Sequence, residues 1–66
     1  MTVTVNGERR EIESGTTLEA LIKELGIGKK VMAAAVNMEI VKKDRWPRHR
    51  LQEDDRVELL HFVGGG

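Results

Sequence analysis

The chain has 66 residues, 39% of them hydrophobic, with 11 Lys and Arg set against 11 Asp and Glu and no cysteine. A length of this order builds one domain near the lower limit for a core without staples, and the lack of cysteine excludes disulfides and thiolate metal sites. Zero net charge provides no overall field to gather the protein on a nucleic acid or a lipid surface, and no apolar run approaches the roughly 18 residues that cross a bilayer.

Met1, Val3 and Val5 alternate with Thr2 and Thr4, a period-two pattern in strand-forming residues. Asn6-Gly7 then supplies the pair best suited to a two-residue type I′ turn, which predicts a hairpin. Its second arm, ERREIE, has only Ile12 to bury and reads as a charged edge strand that discourages pairing with other chains. The opening MTVTVNGERR also lacks the charged-then-apolar layout of a signal peptide, and a cytoplasmic location is expected.

Thr16 and Glu19 have capping-box spacing ahead of Leu18, Leu21, Ile22 and Leu25, four apolar residues on one helical face. With Gly26 placed for a left-handed cap, the pattern predicts a helix over about Thr17 to Leu25, lying across a sheet. Val31 to Val36 is apolar at every position, so neither face of that strand looks built for water. Ala33 and Ala35 oppose Met32, Ala34 and Val36, and either parity puts small residues on the face away from the helix. Ile40-Val41 is expected as a short further strand, KKDRWPRHR as an irregular segment in which Pro47 cannot donate to a ladder, and Arg56 to Val63 as the last strand. One helix on one face of a small mixed sheet of four to five strands makes an α+β domain. It should span residues 1–63, with 64–66 as a flexible glycine tail.

Several residues converge on a known family. The helix opening GTTLEALI, the segment AVNMEIVKKDRW, an acidic turn before RVELLHFVGGG and a terminal Gly65-Gly66 resemble the ThiS family, along the whole chain. This family comprises sulfur carrier proteins of thiamine thiazole biosynthesis with the ubiquitin-like β-grasp fold. The related MoaD subunit of molybdopterin synthase also ends in Gly-Gly, but is usually longer and tends to carry prolines where this chain has His61-Phe62-Val63.

The resemblance implies that the Gly66 carboxylate is adenylated with ATP by a ThiF-type enzyme and converted to a thiocarboxylate with sulfur from a donor protein. A ThiG-type thiazole synthase then accepts the sulfur. No bound cofactor is implied, and the chain would be a cosubstrate rather than an enzyme. A terminal carboxyl group, with an ordinary pKa near 3.5, is ionised at neutral pH and able to attack phosphorus. Gly64 and Gly65 form a thin segment for entering partner active sites, with a reach of about 10 Å for three extended residues.

The folded body must dock beside that tail. On the last strand Val57 and Leu59 share one face and Leu60 and Phe62 the other. If the first pair meets the helix, Leu60 and Phe62 face outward and, with Ala34 and its small neighbours, form a docking surface. The alternative is that the loop carrying Trp46 covers that face.

Other signals are weaker. Lys42, Lys43, Arg45, Arg48 and Arg50 surround Trp46 in the mixture used by single-strand nucleic-acid sites, but one aromatic residue and a balanced charge favour a solvated loop. His49 and His61 lack matched metal ligands, although Asp54 and Asp55 could add oxygens. Ser14 has no evident base beside it. With an aromatic content of 3%, little material is present to line a deep catalytic pocket. A ubiquitin-like modifier joined through Gly66 to lysines and a β-grasp binding module with an inert tail are the competing functions.

Overall fold

The structure is a computed structural model that describes residues 1–61. The hairpin appears first, with β1 over Thr2–Val5 and β2 over Glu8–Glu11, paired antiparallel with Val5 opposite Glu8. Asn6 and Gly7 both have positive φ, 48° and 86°, as a type I′ turn requires. Every residue of β2 is exposed, and Ile12 beyond it packs on the margin of the core.

Helix α1 spans Leu18–Glu24, with Thr17 and Leu25 as its caps and Leu18, Leu21 and Ile22 buried. The predicted cap is displaced by one residue. Thr17, not Thr16, accepts the Ala20 N–H on its side-chain oxygen at 3.1 Å. Thr16 is engaged outside the helix: its carbonyl accepts from the Leu51 N–H at 2.9 Å and its hydroxyl donates to the Glu13 carbonyl at 2.7 Å. Gly26 follows the helix at φ 73°, the expected left-handed position.

A short 3-10 turn, Gly28–Lys30, leads into β3 over Val31–Val36, which returns as β4 over Glu39–Val41. The segment read as irregular from sequence contains a 3-10 helix, Lys43–Arg48, with Pro47 inside it. Proline's fixed φ suits a helical turn even though its nitrogen donates nothing. Trp46 from this helix enters the core and donates its indole N–H to the Val41 carbonyl at 2.9 Å. The last strand, β5, covers Arg56–His61 among the described residues, and Phe62 and Val63 lie outside them.

The described strands form one mixed sheet in the order β2-β1-β5-β3-β4. β5 is central, parallel to β1 and antiparallel to β3. α1 covers one face, where Val3, Val5, Val31, Ala34, Val36, Val57 and Leu59 are buried with the helix leucines, Trp46 and Leu51. A register shift between Val31 and Ala33 lets Val31 point inward and turns Met32 out.

Candidate functional site

The candidate site is the end of β5 and the outer sheet face beside it. Cross-strand register fixes which side chains share that face, because directly paired residues point the same way. Ala33 pairs with Leu60, Ala35 with Glu58 on one side and Ile40 on the other. Leu60 is 61% exposed and Ile40 72% exposed, with the half-buried Ala33 and Ala35 as a low floor between them. These residues, with Asn6, Ala34, Glu58 and Leu59, border one shallow depression. The β1 and β2 side of the same face carries Thr2, Thr4, Arg9 and Glu11, where the Thr2 hydroxyl donates to the Glu11 carboxylate. The outer face is therefore apolar around the distal half of β5 and polar elsewhere.

Leu60 lies where its place on the strand predicts. Ala34 does not: it pairs with Leu59, shares that residue's inward direction and is only 1% exposed. Its expected place on the docking surface is taken by Ala33 and Ala35. Phe62, the third residue of that surface, and Gly64, Gly65 and Gly66 lie outside the described residues. Trp46 lines a hollow with Ile22 and Ile27 on the helix side, so its loop does not cover the outer face. Lys43 sits over that indole, its ammonium 5.8 Å from the ring centroid. The sequence places Ile40 in a strand but not at the site; it joins this face by pairing with Ala35, which a three-residue strand does not announce in sequence.

Two asparagines hold β5 in place. The Asn6 side chain accepts the Leu59 N–H at 2.8 Å and donates to the Leu59 carbonyl at 3.3 Å. Asn37 accepts the Arg56 N–H at 2.9 Å and donates to the Asp55 carboxylate at 2.9 Å. That carboxylate is 8% exposed and also accepts the Gln52 N–H at 2.8 Å, so the one buried charged group of the described core is hydrogen-bonded on both oxygens. Among the described residues no three His, Asp or Glu side chains are grouped to hold a metal, and no helix is long and apolar enough to cross a membrane.

A sequence profile of the ThiS family matches residues 3–66. The chain is 41% identical, over all 66 residues, to a thiazole synthase of Magnetococcus marinus, of which it spans only 20%. It is 27% identical to the sulfur carrier protein ThiS of Escherichia coli, with each chain covered in full. A crystal structure of a thiamine biosynthesis protein, ThiS, from Geobacter metallireducens superposes with a TM-score of 0.82 at 26% identity, again over the whole of both chains. The five-stranded sheet crossed by one helix is thus the β-grasp fold of those proteins, and the chain belongs to the ThiS family.

Proposed function

We propose that this protein is a cytoplasmic sulfur carrier of thiamine biosynthesis, loaded at the Gly66 carboxylate. The observation that carries the reading most is the position of β5: the central strand leads toward the terminal glycines past an apolar outer face that the helix does not cover. In this scheme a carboxylate oxygen of Gly66 attacks the α-phosphorus of ATP within a ThiF-type enzyme, pyrophosphate leaves, and an acyl-adenylate forms. Sulfide released by a donor protein then displaces AMP, leaving a thiocarboxylate at Gly66. A ThiG-type thiazole synthase accepts the sulfur, and an oxygen from water or from the sulfur acceptor takes its place to regenerate the carboxylate.

The body supplies recognition and no chemistry. Leu60, Ile40 and the alanine floor offer contact area that offsets the ordering of a glycine segment inside the partner. Gly64 and Gly65 carry no side chain to obstruct a narrow passage or the acyl carbon. The match to part of a thiazole synthase supports this assignment, since there a segment like this chain belongs to the same protein as the synthase.

The test is the intact mass of the protein after incubation with ATP, a ThiF-type enzyme and a sulfur donor. Exchange of one oxygen for sulfur at Gly66 is expected, and removal of Gly65 and Gly66 should abolish it. Covalent adducts with other proteins would instead identify a modifier, and an unchanged mass a binding module. A deletion strain that requires molybdopterin rather than thiamine would move the chain to the other branch.

A further inference from the structure

Asn6 and Asn37 have similar roles and different neighbours. Each opens a hairpin turn with positive φ, 48° and 51°, and each uses its carboxamide to extend the hydrogen-bonding of β5. Asn6 donates its own backbone N–H to the Val57 carbonyl at 2.9 Å, and its side chain then pairs with both backbone groups of Leu59. The carboxamide thus stands in for the next residue of β1 in the parallel ladder. Asn37 is followed by Met38, whereas Asn6 is followed by Gly7, where even an added Cβ would meet nothing within 4 Å. Asn6 and Gly7 are also exposed to water.

We propose that Asn6 is a site of slow, uncatalysed deamidation whose rate is set by how often its grip on Leu59 opens. In this reaction the Gly7 backbone nitrogen attacks the Asn6 Cγ as its proton is lost, the Cγ–Nδ2 bond breaks, and ammonia leaves carrying the equivalent proton. A five-membered imide results. Water then adds to either imide carbonyl and opens the ring, giving aspartate or its isomer in which the main chain runs through the side-chain carbon. No oxidant or reductant takes part. Glycine is the residue that least hinders this attack and most readily adopts the backbone it needs. While the carboxamide is paired with Leu59, its Cγ is held toward β5, so both hydrogen bonds must open first.

The product no longer holds the strand as before. Aspartate keeps an acceptor for the Leu59 N–H but sets a carboxylate against the Leu59 carbonyl, where the native side chain donates. The isomer adds a backbone atom to the turn and disturbs the register of β1 with β2 and β5. Either change loosens β5 just before Leu60 and His61. If the sulfur-carrier reading holds, on which this one consequence rests, aged protein would present its terminus less well to the activating enzyme.

The experiment follows full-length protein at mildly alkaline pH, folded in buffer and unfolded in urea, by the mass change of NH2 to OH, with peptide mapping to locate it. Asn6 should react before Asn37 in both states, and at least about tenfold more slowly when folded, reflecting the cost of local opening. Purified deamidated protein and the Asn6→Asp variant should both show faster amide exchange at Leu59. Equal rates in the two states, reaction first at Asn37, or no product at Asn6 in folded protein kept many unfolded half-lives would each overturn the proposal, as would unchanged Leu59 exchange. Sulfur loading of the unmodified fraction serves as the control: if that fraction is not loaded either, the carrier reading fails and the deamidation result stands alone.

Discussion

On β5, Val57 and Leu59 are 0% and 6% exposed while Leu60, one residue on, is 61% exposed. The two faces of the same strand do different work. The inner face is closed by a seven-residue helix, a tryptophan and Leu51, and any lost contact there costs stability directly. The outer face contributes little to folding because its apolar groups remain in water, and under the proposed function their burial awaits a partner. The contrast teaches that the core of so small a domain is completed from one face of its central strand, leaving apolar residues of the other face in water.

The largest effect expected is on the inner face. Leu21→Ala empties a fully buried position beneath the helix and should cost about 2–5 kcal/mol in urea-unfolding stability, enough to unfold much of the population. Next comes the network at the start of β5. Asp55→Ala leaves the Gln52 N–H and the Asn37 amide without their acceptor, and a loss of about 1–3 kcal/mol by thermal unfolding is expected. The outer face should respond in the opposite manner: Leu60→Asp ought to keep stability within about 0.5 kcal/mol while raising the KM of the activating enzyme by about tenfold. Unfolding of that variant would erase the distinction between the faces.

Two smaller changes sharpen it. Thr17→Ala removes the helix cap and should lower the denaturant midpoint by an amount equivalent to about 1 kcal/mol, with sulfur loading unchanged below the transition. Lys23→Met breaks an exposed 3.9 Å ion pair to Glu19, and a calorimetric shift above about 0.5 kcal/mol would show that the helix surface matters more than its solvation suggests.

Much of this was legible before the structure because local rules and tertiary packing agree. Asn6-Gly7 encodes its turn, the exposed charges of Glu8 to Glu11 encode an edge, and Leu18, Leu21 and Ile22 encode the buried stripe of α1. The failures arose where long-range pairing chose between local options. Thr16 and Thr17 are both capping residues, and the decision came from an isolated bridge of Thr17 with Arg50 together with the hydrogen bonds Leu51 makes to Thr16 and Leu18 to His49. Ala34 is assigned to the outer face from sequence and lies on the inner one, because an all-apolar strand has no visible parity and a register shift within it changes the phase. The 3-10 helix around Trp46 is too short to impose a period. Asn6 was legible as a turn former, but its grip on Leu59 joins positions far apart in the chain.

The placement of β5 has a kinetic corollary. It comes after every other described strand in sequence, yet lies between β1 and β3, so β2-β1 and β3-β4 stay as separate hairpins until it is inserted. Isolated hairpins are marginal in water, and joining the ends of the chain delays the rewarding contacts until a long loop has closed. Folding should therefore be a single late zipping event, and a nascent chain still lacking this segment would expose both hairpins to proteases.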